Sequence, residues 1–149
     1  MAKAPSARCS IENSLGVLGE RWTFLILREA LSGVTRFATL RKNLGVAPDI
    51  LSDRLATLTE YGVLMREPYR EPGSRTRCEY HLTPAGRELG VVLGALQQWG
   101  DEHLPWPAGP SVLRCTPDGD ALHVGFLDQN GCEVEPEAVR FVRTAVYPG

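Results

Sequence analysis

The sequence has no run of about 18 apolar residues, the length that a membrane-spanning helix requires. It also lacks the short patterns of common enzymes: GxSxG, HExxH, the phosphate-binding P-loop and GxGxxG are all absent. Its three histidines are scattered along the chain. These absences predict a protein that is neither a membrane protein nor an enzyme.

Cysteines are few, and no two of them form a CxxC pair, although structural zinc sites usually contain such pairs. A set of four ligands can still be drawn from the C-terminal region: His103, Cys115, His123 and Cys132. Without paired spacing, we expect no metal and no other cofactor. Residues 1–8 are too short and too polar for a secretory signal, so we expect a cytoplasmic protein with free thiols.

The net charge of -2 argues at first against nucleic acid as a partner, but the charges are unevenly distributed. Residues 21–87 carry 11 Arg and Lys against 7 Asp and Glu, whereas residues 88–149 carry 3 against 9. A basic region can bind phosphates whatever the charge of the whole chain. The middle of the chain is therefore the candidate for an anionic partner.

Apolar spacing predicts four short helices over residues 10–18, 22–31, 37–44 and 47–61. Ser10 is expected to cap the first, and Gly45 is expected to end the third in a left-handed conformation. Two strands are predicted next, over residues 63–69 and 76–82, with Pro72-Gly73 in the turn between them. Thr83-Pro84 then predicts the start of a fifth helix that runs to about Trp99.

Helices followed by a hairpin with a basic tip are typical of winged helix-turn-helix proteins. We therefore predict an α+β fold. Residues 1–103 are expected to form a winged helix-turn-helix DNA-binding and dimerisation domain, and the Pro-rich residues 104–110 a linker. Residues 111–149 are expected to form a small β-rich C-terminal extension, with strands near residues 112–115, 121–127 and 138–146.

In such a fold the fourth helix enters the major groove of duplex DNA, and the hairpin reaches the flanking backbone. A buried stripe of Leu51, Leu55 and Leu58 would leave Asp49 and Asp53 on the opposite face. A carboxylate there can accept a hydrogen bond from cytosine N4, although Asp49 could equally complement the helix dipole. The predicted DNA-binding residues are Arg36, Arg41, Lys42, Pro48, Asp49, Ser52, Asp53, Arg54, Arg70, Arg75 and Arg77.

Several motifs resemble, in order and spacing, those of the HxlR-type (MarR-like) transcriptional regulators. Examples are Leu18-Gly19-Glu20-Arg21-Trp22-Thr23, Leu51-Ser52-Asp53-Arg54-Leu55 and Glu79-Tyr80-His81-Leu82-Thr83-Pro84-Ala85-Gly86-Arg87. The resemblance covers Cys9 to Leu89 and implies a homodimeric winged-helix DNA binder. It does not cover residues 101–149, which most such proteins lack in this form. Members often have proline after an N-terminal cysteine, where this chain has Ser10.

The first and fifth helices are expected to form the dimer interface because both are apolar and flank the DNA-binding unit. Glycines at every fourth position of the fifth helix indicate that another backbone packs closely there, unless that face is exposed and weakly helical. The predicted interface residues are Ile11, Leu15, Leu18, Gly90, Leu93 and Gly94. A two-fold dimer would read a pseudo-palindromic operator with half-sites about 34–36 Å apart.

Cys9 is a candidate redox sensor because it directly precedes the first helix, where unpaired N–H groups favour an anion such as a thiolate. Arg8 would act in the same direction. The resemblance also implies this role, since an N-terminal cysteine senses oxidants in some HxlR-type regulators. The alternative is that Cys9 only packs beside Trp22.

Two other functions remain open from the sequence. One is a winged-helix module that binds proteins and not DNA, although a basic hairpin favours DNA. The other is a sensor whose acidic extension receives a small ligand or metal as effector, which would modify DNA binding without excluding it.

Overall fold

The computed structural model describes residues 9–147, and these divide into two units between Gly90 and Val91. The first unit contains the residues up to Gly90 together with Val146 and Tyr147, and the second is Val91–Ala145. The sequence had placed a boundary after residue 103. The division falls earlier because the second half of the fifth helix packs with the C-terminal segment, as the contacts below show.

Helices and strands follow the predicted order. Four helices come first, then an antiparallel hairpin, and then a long fifth helix that continues across the division. Their bounds are α1 Ser10–Leu18, α2 Arg21–Leu31, α3 Phe37–Leu44, α4 Pro48–Glu60, β1 Leu64–Tyr69, β2 Arg77–Leu82 and α5 Pro84–His103. This confirms an α+β winged-helix fold. The main difference is α5, which extends four residues beyond the predicted end at Trp99.

Local chemistry explains most of the helix ends. Gly45 follows α3 with a φ of 63°, a left-handed conformation that glycine adopts at little cost. Pro48 occupies the first turn of α4, where a missing N–H breaks no hydrogen bond. The expectation that Ser10 caps α1 is wrong: Cys9 is the N-cap, and its carbonyl already accepts the Asn13 N–H at 2.9 Å.

The core of the first unit is built from aliphatic side chains of all four short helices and the start of the hairpin. Leu51, Leu55 and Leu58 on α4 are each fully buried, as the periodicity predicted. Burying one such side chain contributes about 1.5–3 kcal/mol. Because these three residues hold one side of α4 against the core, its other side must face solvent.

The hairpin pairs Leu64 with Leu82 at its base and Tyr69 with Arg77 near its tip. Tyr80 and Leu82 pack partly against the core, as predicted for that face of β2. The Tyr80 N–H also donates to the Thr35 carbonyl at 2.8 Å, which ties β2 to the segment just before α3. These contacts attach the hairpin, called the wing from here on, to the helix-turn-helix.

The second unit has less β structure than the sequence predicted. Its described residues contain β3 Phe126–Leu127 paired with β4 Glu133–Val134, a 3-10 turn at Pro136–Ala138, and a single bridge from Cys115 to Ala121. The strands expected over residues 112–115 and 138–146 do not form.

Glutamine side chains of α5 take the place of partner strands in this segment. The Gln98 side chain donates to the Val124 carbonyl and accepts the Val124 N–H, both at 2.9 Å. Gln97 likewise donates to the Val112 carbonyl. These contacts satisfy backbone groups of the segment at Val112 and Val124, which lie outside its two short strands.

Candidate nucleic-acid interface

The outward face of α4 is polar and open to solvent. Pro48, Asp49, Ser52 and Asp53 are exposed, whereas Arg54 is half-buried. Asp49 lies in the first turn, where a carboxylate also complements the helix dipole. A 13-residue helix is about 20 Å long, a suitable size for the major groove.

Two cations lie at the end of α3, next to the turn that leads into α4. Arg41 and Lys42 are both exposed and occupy the last turn of α3. With Phe37, Gly45 and Val46 they line an open surface cleft of about 530 Å³. Neither cation forms an ion pair within the part of the chain that the structure describes, so both are available to an external anion.

The tip of the wing carries the other predicted cations. Arg75 and Arg77 are exposed, and neither has an ion-pair partner among residues 9–147. Arg70 differs, because its Nε donates to the Ser74 carbonyl at 3.0 Å and so helps to close the turn. Gly73 supports the same turn with a φ of 76°. Arg75 and Arg77 are therefore more available than Arg70 to an external anion.

Arg36 does not occupy the position expected of a phosphate ligand. Its Nε donates to Glu79 Oε1 at 2.9 Å, and its Nη1 donates to Glu71 Oε1 at 2.8 Å. Its guanidinium also stacks on the Tyr69 ring, 4.5 Å from the ring centroid. The charge of Arg36 is thus already matched by two carboxylates of the wing, and its predicted contact with DNA stays a prediction.

The electrostatics at this contact agree with the geometry. The hydrogen bond from Arg36 is the main reason that the pKa of Glu79 lies below its ordinary value, and the same bond raises the pKa of Arg36. Glu79 Oε2 lies 3.2 Å from His81 Nε2, which is 3.7 Å from Glu67. Glu67 and Glu79 therefore belong, with Arg36 and His81, to a row of charged groups along one side of the wing.

The sequence missed Glu71 and Glu79 as partners because they lie 35 and 43 residues from Arg36. It also missed Arg66, an exposed cation on β1 whose pKa is raised mainly by a hydrogen bond with Cys78. Alternation along β1 could have placed Arg66 on the hairpin surface. No spacing rule could have found the contacts of Arg36.

The residues expected at a dimer interface fall into two groups. Ile11 and Leu15 on α1 are 63% and 58% exposed, so they are available to a partner. Leu18 is only 8% exposed and belongs to the core of its own chain, which corrects its predicted place at the interface. The apolar face of α1 that a partner could contact therefore contains Ile11 and Leu15 but not Leu18.

The glycine stripe of α5 packs within the chain. A Cβ at Gly86 would lie 2.1 Å from the Val63 carbonyl oxygen, so the close backbone that the spacing predicted belongs to the base of the wing. Gly90 faces Leu31, and Gly94 is covered by Val124. The same helix presents a half-buried Leu93 and an exposed set of Val91, Val92, Leu96 and Trp99. Gly94 is therefore covered by its own chain, which corrects its predicted place at the dimer interface.

Cys9 is half-buried at the start of α1, while Arg8 lies outside the described residues. Cys115 and Cys132 are exposed, and Cys78 is half-buried. Between residues 9 and 147, no three His, Cys, Asp or Glu side chains are grouped so that they could hold a metal ion. Across the same range, no helix has the length and apolar character needed to cross a membrane.

The fold has an exposed face on α4 and exposed cations on α3 and at the wing that form no ion pair within residues 9–147. These features define a winged helix-turn-helix protein. A model of the HxlR-like helix-turn-helix family matches residues 17–107. The chain therefore belongs to the HxlR-like helix-turn-helix family.

Comparison with individual proteins agrees with this assignment. The chain is 50% identical over 103 residues to Rv3095 of Mycobacterium tuberculosis, named an uncharacterized HTH-type transcriptional regulator. That match covers 69% of this chain and 64% of Rv3095, so the chain spans less than two thirds of that relative.

Two solved structures differ in what they share with this chain. PA1607, a candidate transcription factor, superposes with a TM-score of 0.79 at 34% identity and covers 93% of this chain and 97% of its own. HypR, a redox regulator in its reduced form, gives a TM-score of 0.58 at 26% identity and covers 64% of this chain and 94% of its own. Most of the segment after residue 107 must therefore have a counterpart in PA1607, whereas HypR is shorter.

Proposed function

We propose that the protein is a sequence-specific DNA-binding transcriptional regulator that acts as a homodimer. One observation carries the proposal: one face of α4 is exposed, and four exposed cations on α3 and the wing, Arg41, Lys42, Arg75 and Arg77, form no ion pair within residues 9–147. Membership of the HxlR-like family and the names of its relatives support the same conclusion.

In the proposed complex, α4 lies in the major groove and the four cations contact phosphates on either side of it. Phosphate contacts fix the register of the protein on the duplex, whereas contacts to base edges provide sequence preference. Ser52 and Asp53 are the candidates for base contacts because they are exposed near the middle of α4. Asp53 would select cytosine, since a carboxylate accepts from its N4 amino group.

A second copy of the chain completes the proposed site. Two recognition helices related by a two-fold axis would read half-sites about 34–36 Å apart, that is, a pseudo-palindrome. The exposed Ile11 and Leu15 on α1, and the exposed apolar residues of α5, are the surfaces that a partner could cover. Repression is the simplest output, because a dimer seated over a promoter excludes polymerase from it.

An oxidant or electrophile is the proposed effector, and Cys9 is the proposed sensor. Cys9 is the N-cap of α1 and is only half-buried, so its thiol is partly accessible to an oxidant. The superposition with HypR, which is named as a redox regulator, supports this assignment. Two Cys9 thiols, one from each copy, could form a disulfide as the oxidant takes up two electrons and two protons.

The test is to incubate the purified protein with fragments of its source genome, to sequence what it retains, and to measure fluorescence anisotropy with the recovered duplex. The proposal predicts a common pseudo-palindromic motif and at least about a thousandfold tighter binding than to a scrambled duplex. Equal binding to both duplexes would reduce the proposal to non-specific DNA binding. An absence of binding at low salt would favour a winged-helix module that binds proteins.

A further inference from the structure

The side of the wing that faces α3 carries a connected group of charged residues that the proposed DNA contacts do not use. Arg36 lies at its centre, with Glu79, Glu71 and Tyr69 around it. Arg36 is itself the N-cap of α3, the helix that supports α4. One side chain therefore joins the helix-turn-helix to the wing.

We propose that Arg36 is a positioning residue that holds the wing in register with α4, with Glu79 as its principal partner. This inference rests on the proposed DNA-binding function and deepens it: the phosphate contacts of Arg75 and Arg77 depend on a carboxylate that never touches DNA. Glu79 thus acts in favour of DNA binding although its charge repels phosphate.

The geometry requires an arginine. Its Nε and Nη1 donate to two different carboxylates, while its Cζ lies over the Tyr69 ring, 4.5 Å from the centroid. A lysine ammonium is a point charge without this planar fork, so it cannot reproduce the two directed bonds and the ring contact together. Arg36→Lys keeps the charge and loses the arrangement.

The charges around Arg36 argue against direct binding to phosphate. Two carboxylates within 2.9 Å of one guanidinium leave the group with a net negative charge. A phosphate brought to the same side chain would meet Glu71 and Glu79 at close range, and repulsion would offset the attraction of Arg36. Arg75 and Arg77 have no such neighbours among residues 9–147.

The wing needs this support because its other attachments lie nearer its base. An isolated two-stranded hairpin is at best marginally stable in water. The backbone bond from Tyr80 to Thr35 anchors β2 three pairs from the tip pair of Tyr69 and Arg77. Arg36 reaches past that bond to Glu71, beyond the end of β1, and so restrains the segment that leads to Arg75.

The decisive variant is Glu79→Gln, with Glu67→Gln as its matched control. Both remove one negative charge from the wing, but within residues 9–147 the carboxylate of Glu67 is ion-paired with His81 alone, at 3.7 Å, and not with Arg36. If charge alone mattered, both variants would bind duplex DNA slightly more tightly. We expect Glu79→Gln to bind about three- to tenfold more weakly than wild type, a loss typical of a charged hydrogen bond. Glu67→Gln should bind as tightly as wild type or more tightly.

Two further measurements separate positioning from a general loss of structure. Arg36→Lys should weaken binding at least as much as Glu79→Gln, because it also disturbs the contacts with Glu71 and Tyr69. Adding Glu79→Gln to Arg36→Lys should cost little more, because the contact between the two residues is already lost. The slope of log K against log salt should become shallower in Glu79→Gln at an unchanged melting temperature, since the variant disengages Arg75 and Arg77. A wild-type slope in both single variants would overturn the proposal.

Hydrogen exchange tests the inference without DNA. The amide of Tyr80 and those nearer the tip should exchange faster in Glu79→Gln and Arg36→Lys than in wild type or Glu67→Gln. Equal exchange in all four proteins would overturn the positioning role even if the protein binds DNA. If the two variants exchange faster but the wild-type protein binds no DNA, Arg36 positions the wing, and the proposed role of that positioning in DNA binding is wrong.

Discussion

Gly86 provides a sharp test of the packing between the wing and α5. A Cβ at this position would lie 2.1 Å from the Val63 carbonyl oxygen and 3.0 Å from a methyl of Leu82. The Gly86 N–H also donates to Thr83 Oγ1 at 3.0 Å, which fixes the first turn of α5. The oxygen that blocks this Cβ belongs to the backbone of Val63, directly before β1, so it cannot move aside as a side chain could. Gly86→Ala must therefore displace either α5 or the base of the wing.

The expected cost follows from two opposing terms. Alanine improves helix propensity by up to about 1 kcal/mol, and less near a helix end, whereas overpacking a close contact costs about 1–3 kcal/mol. We therefore expect Gly86→Ala to lower the free energy of unfolding by about 1–2 kcal/mol. For a chain of this size, that loss lowers Tm by roughly 2–8 °C.

Gly100→Ala is the control, since Gly100 lies on the same helix and a Cβ there would meet nothing within 4 Å. Only the helix propensity then changes, and we expect the free energy of unfolding to be unchanged or raised by up to about 1 kcal/mol. Urea denaturation of the three proteins, followed by circular dichroism, measures both effects. A Gly86→Ala protein as stable as Gly100→Ala would show that α5 does not approach Val63 as closely as described.

Two other predictions concern assembly and its control. Sedimentation velocity at micromolar concentration should show a dimer of 16.4 kDa chains, and Leu15→Glu should convert it to a folded monomer, because Leu15 is 58% exposed and supports no core. A wild-type monomer would contradict the interface. Diamide should produce a disulfide-linked dimer on a non-reducing gel and release the operator, whereas Cys9→Ser should do neither. If both proteins bind operator equally with and without diamide, Cys9 serves only in packing.

Local patterns predicted the parts of the fold that local forces determine. The stripe of Leu51, Leu55 and Leu58 follows from helical periodicity, and these three residues are fully buried as expected. Gly45 was expected in a left-handed conformation because only glycine adopts it readily at a helix end, and its φ is 63°. The exposed face of α4 follows directly from the burial of these three leucines.

Long-range contacts explain what the sequence could not provide. Arg36 is a cation just before α3, where a phosphate ligand would be expected. Its partners lie 35 and 43 residues away, however, and become its neighbours only when the wing folds back. The spacing of Gly86, Gly90 and Gly94 correctly indicated a close backbone at Gly86 but could not identify it as that of Val63.

The extension shows how β propensity alone can mislead. Residues 112–115 have the composition of a strand, but among the described residues their pairing is limited to a single bridge, from Cys115 to Ala121. The Val112 carbonyl is satisfied by the Gln97 side chain, so a sheet is not required. Propensity favours an extended backbone, but it cannot tell whether a partner strand will be present.

The salt dependence of DNA binding tests the central claim most directly. Each phosphate contact contributes about 0.9 to the slope of log K against log salt, so Arg75→Ala with Arg77→Ala should reduce the slope by about 1.8 per protomer, or about 3.6 per dimer. The control is Arg140→Ala, which removes an exposed arginine from the acidic extension and should leave the slope unchanged. Anisotropy titrations of one duplex between about 50 and 200 mM salt provide all three slopes. A steep wild-type slope that falls only in the wing variant is the predicted result, and the same slope in all three proteins would contradict the account.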